Sequence, residues 1–206
     1  EPDPLDQEAG ALLQKTLGAI ATGGLHDQLE DGYHRATHDR AWGLPHFEKL
    51  ATINADLLSL FVEAERVLGD PWLVGLAEAV AGWLLETLLE PEGGFAFGQA
   101  ADATLDRPAF TWTLREIEAV LTGSATTEPD PEREADLEAF AWVFGVHKLG
   151  DLDPPLHREN VLRLDRSVEE VAAERGESAD ETAARLDRAS RALLAVREER
   201  PQPPID

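Results

Sequence analysis

Between Gly23 and Asn54 the chain reads GGLHDQLEDGYHRATHDRAWGLPHFEKLATIN, and four of its six histidines fall there: His26, His34, His38 and His46. Among them stand Asp27, Asp31, Asp39, Glu48, Tyr33 and Trp42. Imidazoles exchange protons near neutral pH and carboxylates partner them, so these residue types suit general acid–base chemistry. The acid–base candidates are Asp27, His34, His46 and Glu48. Gln28 and Arg35 could orient hydroxyls, and Tyr33, Trp42 and Phe47 offer aromatic faces. A structural reading stands beside this one. The same groups could cap helices and tie a long loop down, and a carboxylate such as Glu48 near an expected helix start is favourable whatever the function.

Metal binding is a second use for the cluster. His34 and His38 lie four apart, with His26 and His46 flanking them, and three imidazoles plus a carboxylate would satisfy zinc. The segment around Asp39 reads as loop, however, so that spacing does not put His34 and His38 on one helical face. No metal and no cofactor are expected. His147 and His157 are read as residues of solvated loops.

The elements that must position these groups are helical. Residues 5–22 carry leucine and alanine at helical spacing. From Phe47, apolar residues recur at Leu50, Ile53, Leu57, Leu60, Phe61, Ala64 and Leu68, a period of three to four that Gly69 stops. Asp70 and Pro71 restart the chain, and 72–89 is apolar on nearly all sides, as in a helix buried between layers. The two helices form an antiparallel hairpin. Thr113/Glu116, Ser167/Glu170 and Ser178/Glu181 are capping boxes that open three further helices. Residues 132–144 form another, 91–112 a short ribbon or loop, and 160–164 a short strand. Acid–arginine spacings such as Glu181/Arg185 and Asp187/Arg191 support the last helix. The expectation is a single all-α domain over 1–206, with first hairpins and rim loops in 1–122 and later helices in 132–206.

Charge narrows the partners. The chain holds 41 acidic against 18 basic residues, a net charge of -23, and lysine occurs only at Lys15, Lys49 and Lys148. Such a field repels phosphate backbones and anionic membranes, so neither nucleic acid nor membrane is expected. Cysteine is absent, which removes disulfides, thiolate nucleophiles and Cys-ligated zinc. No apolar run reaches membrane-spanning length and no signal-peptide pattern opens the chain, giving a cytoplasmic expectation. The chain opens on Glu1 rather than Met, which reads as a processed or excised piece.

The motifs resemble those of thioredoxin-domain-containing proteins of the spermatogenesis-associated protein 20-like family, whose helical region runs roughly GGIYDQLGGGFHRYS, then W-x-x-PHFEKMLYDNA. Gly23, Gly24, Asp27, Gln28, Leu29, Gly32, His34, Arg35, Trp42, Pro45, His46, Phe47, Glu48, Lys49, Asn54 and Ala55 carry the match. It continues through Gly69-Asp70-Pro71, Pro91-Glu92-Gly93-Gly94-Phe95, Trp112, Glu116-Ile117, Phe144-Gly145-Val146 and Asn160-Val161-Leu162. The resemblance implies an (α/α)6 six-hairpin toroid of the kind shared by sugar epimerases and glycosidases. With about seven helices against roughly twelve in a full ring, this chain would form part of one. The family's thioredoxin-like domain is not present in it.

Departures from the pattern are also informative. Glu30-Asp31-Gly32 stands for three glycines, Thr52-Ile53 for Tyr-Asp, and Ala100-Ala101-Asp102-Ala103 for an Asp-Ala-Asp-Ser run. Phe95 and Asp102 remain candidate ligand contacts. The resulting expectation is a helical domain without a complete catalytic set that binds a sugar or sugar derivative at its loop rim. The alternatives are an epimerase- or glycosidase-like enzyme using His34 and His46, and an interaction module docking to absent domains or a second copy. A homo-oligomer covering exposed hairpin faces is the partner that the toroid reading adds.

Overall fold

A computed structural model describes residues 4–101, 109–123, 130–152 and 158–206 of the chain. Asp102 and His157 lie outside the described residues. The structure is mostly helical, with seven α-helices and three small antiparallel strand pairs among the described residues. Two compact units divide it, one formed by Glu1–Asp102 with Pro203–Asp206 and the other by Ala103–Gln202.

The first unit opens with α1 (Pro4–Thr22). A long loop follows, within which β1 (Ala36–Thr37) pairs with β2 (Pro45–His46). Next come β3 (Lys49–Leu50), α2 (Ala51–Leu68) and α3 (Trp72–Trp83). Gly69 ends α2 in the left-handed conformation at φ 66°, donating its N–H to the Glu65 carbonyl, and the chain turns back as α3. The expected hairpin is therefore present, and Leu17, Phe61, Leu73, Val80, Trp83 and Leu88 are buried in its core. Each such side chain contributes about 1.5–3 kcal/mol by leaving water. A groove of about 360 Å³ remains on the hairpin, where Val62 and Val74 stand exposed beside Glu65 and Glu78.

Two local expectations are corrected. The helix expected from Phe47 starts only at Ala51, because the backbone before it is committed elsewhere. Lys49 and Leu50 pair with Gln99 and Gly98 of β4 (Gly98–Gln99), and the Glu48 carbonyl accepts the Arg35 N–H. Further on, α3 passes at Leu84 into a π-helical turn over Leu84–Leu88 rather than running on as α-helix. Residues 203–206 belong to the same unit. Ala100 donates to the Pro204 carbonyl and Asp206 to the Gly98 carbonyl.

The second unit contains β5 (Thr111–Thr113), α4 (Leu114–Thr122), α5 (Pro131–Val143), β6 (Glu159–Val161), α6 (Val168–Arg175) and α7 (Ala179–Glu198). All three expected capping boxes form, at Thr113, Ser167 and Ser178. Trp112, Ile117, Phe140, Val143, Val171 and Leu193 are buried. Arg185 is drawn away from its helical neighbour Glu181. It bonds instead to Asp136 and Glu132 of α5 and to Glu177, while Arg188 makes two hydrogen bonds to Asp136. These bonds fasten α7 to α5 through a largely enclosed carboxylate, a stronger arrangement than an exposed i,i+4 pair.

Candidate functional site

The loop from Gly23 to Leu50 is organised by its own polar groups. Asp27 starts a tight turn, its N–H donating to the Gly32 carbonyl and its carbonyl accepting from Asp31. Asp31 (φ 67°) and Gly32 (φ 72°) are both left-handed. At Gly32 a side chain is sterically barred as well, since a Cβ there would meet the Trp83 ring at 2.5 Å. The turn brings His26 and Tyr33 opposite each other, with their rings stacked at 4.7 Å.

Against this turn lies an ion pair closed off from solvent. Lys49 Nζ donates to Asp27 Oδ2 at 2.7 Å and to the Asp31 carbonyl at 2.9 Å, with Glu30 Oε2 at 3.6 Å. The Lys49 and Asp27 side chains are 0% and 6% exposed. Asp27 Oδ1 accepts the Leu29 N–H. The Lys49 ammonium also sits 5.1 Å from the Trp83 ring centroid, a cation–π distance. A buried carboxylate so committed is not open to an external substrate.

The other candidates are distributed around the same framework. His34 is 3% exposed and meets Phe47 edge-on at 5.5 Å. His46, half-buried in β2, lies against His38 with ring centroids 3.6 Å apart. Arg35 and Glu48 form an ion pair at 2.6 Å with both side chains partly exposed. Gln28 donates to the Ala21 carbonyl at the end of α1, so it caps that helix. Trp42, left-handed at φ 58°, gives its carbonyl to the Gly24 N–H. Tyr33 is fully enclosed, and its hydroxyl has no hydrogen-bond partner among the described residues. Burial pushes the phenol pKa up, with the nearby charge of Asp31 adding to the shift, so Tyr33 stays neutral. Phe95 is 52% exposed and bridged to Leu89.

Three residues outside the candidate set turn out to organise the loop. Lys49 anchors Asp27, as described. Asn54 accepts the Tyr33 N–H at 2.7 Å and donates to the Tyr33 and Leu50 carbonyls, holding the loop against α2. The Asp39 carboxylate accepts N–H groups from Ala41, Gly43 and Leu44, closing the turn before β2. Lys49 was marked by its place in the matched motif and by scarcity, as one of three lysines in the chain. Asn54 stood in the matched motif, although nothing local marked its partners.

Among the candidates, Glu48 borders a cavity of about 270 Å³ together with Leu50, Phe97, Gly98, Gln99, Ala100, Ala101 and Asp206. Phe97 is 64% exposed, and the amide oxygen of buried Gln99 has no hydrogen-bond partner among the described residues.

Fold and loop together define a mostly helical protein of paired helices, with a polar loop pinned between its first two helices. Among the described residues no helix is long and apolar enough to cross a membrane. The sequence is similar to spermatogenesis-associated protein 20 of Mus musculus, at 28% identity over 96% of this chain. Its similarity to the proteins of that name from Rattus norvegicus and Homo sapiens is 26% and 27% over the same share. The chain spans about a quarter of the length of these curated relatives, 26% of the mouse and rat proteins and 27% of the human one. No protein-family model matches it.

Proposed function

We propose that this chain is a helical piece of a spermatogenesis-associated protein 20-like protein, one sector of a six-hairpin (α/α) toroid, and that it binds a neutral sugar without catalysing its conversion. The similarity over 96% of the chain supports the family reading. The α2/α3 hairpin supports the toroid, since its exposed groove beside Val62 and Val74 is the kind of face that a neighbouring hairpin covers in such a ring.

The observation that carries the non-catalytic reading is the Asp27–Lys49 pair, closed off from solvent at 2.7 Å. An acid–base enzyme built on this loop needs Asp27 and His34 open to a substrate, and both are enclosed. The proposed sugar contact lies instead at the cavity beside Glu48. There the exposed Phe97 face can stack on a pyranose ring, while Glu48 accepts its hydroxyls. Saturation-transfer NMR with a panel of neutral monosaccharides tests this reading. Ring-proton contacts that vanish in Phe97→Ala and weaken in Glu48→Gln but persist in His34→Gln support it. Equal binding by all three variants, or turnover of any sugar, contradicts it.

A further inference from the structure

A cavity in the second unit concentrates positive charge where the chain has little to spare. It measures about 390 Å³ and is lined by Thr113, Leu114, Arg115, Glu118, Lys148 and Arg158. Among the described residues, three of the 18 basic residues therefore meet one carboxylate in a single hollow, in a chain with 41 acids. Elsewhere in this unit arginines are engaged, as Arg175, Arg185 and Arg188 are with Glu177 and Asp136. Among the described residues, the side chains of Arg115, Lys148 and Arg158 make no ion pair or hydrogen bond.

Specific backbone features bring the three cations together. The β5–β6 register sets Thr113 opposite Glu159, which delivers Arg158 to the start of α4, where Arg115 stands. Lys148 arrives on the turn that follows α5. The Leu149 carbonyl accepts the Arg158 N–H at 3.1 Å, and Asp151 donates to the Glu159 carbonyl at 2.7 Å. Gly150 allows that approach, since a Cβ there would lie 2.4 Å from the Arg158 backbone. Arg158 itself is left-handed at φ 74°, a conformation that costs a non-glycine residue energy and persists only where its surroundings enforce it.

We infer that this cavity binds a small phosphomonoester, its dianion seated among Arg115, Lys148 and Arg158. Two guanidinium forks and an ammonium match a compact oxyanion of charge near −2 better than a monoanionic carboxylate. The volume falls within the range of small-molecule pockets, leaving room for the esterified body beside the phosphate. The chain's overall negative charge does not prevent this. At physiological ionic strength charges beyond about 8 Å are screened, so a small anion meets chiefly the cavity's own lining, three cations against Glu118 among the described residues. A long polyanion would extend past them into the acidic surroundings and be repelled.

Calorimetric titration of the full chain with glycerol 3-phosphate tests the assignment, with glycerol, inorganic phosphate and acetate as companions. Glycerol 3-phosphate is expected to bind, inorganic phosphate more weakly, and glycerol and acetate not measurably. Raising the salt should weaken binding, and Glu118→Gln should tighten it. Arg115→Gln and Lys148→Gln should each weaken it about tenfold. Arg158→Gly separates ligand contact from folding, because glycine accepts that backbone conformation: melting temperature should hold or rise while binding is lost. Unchanged affinity in the triple variant R115Q/K148Q/R158G would overturn the assignment, as would acetate or glycerol binding as tightly as the phosphomonoester.

Discussion

Lys49 meets Asp27 at 2.7 Å across 22 residues of sequence, and neither side chain is more than 6% exposed. The contact joins the strand before α2 to the tight turn that sets His26 opposite Tyr33. The loop is thus held by an enclosed charge pair, with Asn54 and Gln28 securing it to the helices on either side.

Gly32 should be the least replaceable glycine of the loop. Gly32→Ala combines a left-handed backbone with an overlap on the Trp83 ring, and should cost about 2–4 kcal/mol. Gly69→Ala is the control, equally left-handed but facing open space, and should cost about 1 kcal/mol. Urea denaturation of the two variants measures the difference.

Tyr33→Phe should leave stability unchanged or raise it by about 1 kcal/mol. The hydroxyl it removes is buried with no hydrogen-bond partner among the described residues, and the ring stack on His26 is kept. A marked loss of thermal stability in this variant would show that the hydroxyl is satisfied, contrary to its enclosure without a partner among the described residues.

Acid should loosen the second unit through Glu177. Burial pushes its carboxyl pKa up, but hydrogen bonds from Arg175 and Arg185 outweigh that, and the net shift is below the ordinary value of 4.5. A depressed carboxylate stabilises the fold fully above pH 4.5, and that stabilisation is lost as pH falls through the lower folded value. Glu177→Gln should therefore be less stable than the parent at pH 6 and show a smaller further loss by pH 3. Denaturant unfolding at the two pH values reads both effects.

Gln28→Ala should fray the end of α1 without unfolding the protein. Gln28 caps the Ala21 carbonyl through a half-buried amide, so the expected loss is about 1 kcal/mol. Amide exchange at residues 22–25 should accelerate selectively.

Where a signal is local, the sequence disclosed it. Thr113, Ser167 and Ser178 each cap a helix through a residue three positions on, and Gly69 stops α2 with the conformation that favours glycine. The site was less legible because its determinants are distant in sequence. Nothing near Lys49 announces that its backbone pairs with Gln99, which delays α2, or that its ammonium lies under the Asp27 turn. Arg185 was expected to pair with Glu181, but Asp136 offers it a less exposed partner and Glu181 is held by Ser178. Polar residues gathered in one loop look alike on paper whether they face a substrate or one another, and enclosure separates the two cases.

A double-mutant cycle on Asp27→Asn and Lys49→Met, followed by urea unfolding, bears most directly on the claim that this loop is a structural clasp. Each single change should cost about 3–5 kcal/mol by leaving a buried charge without its partner, and the double variant should recover at least about 2 kcal/mol of the summed loss. Single variants that unfold at the parent's urea concentration, with no coupling between the two positions, would contradict the account.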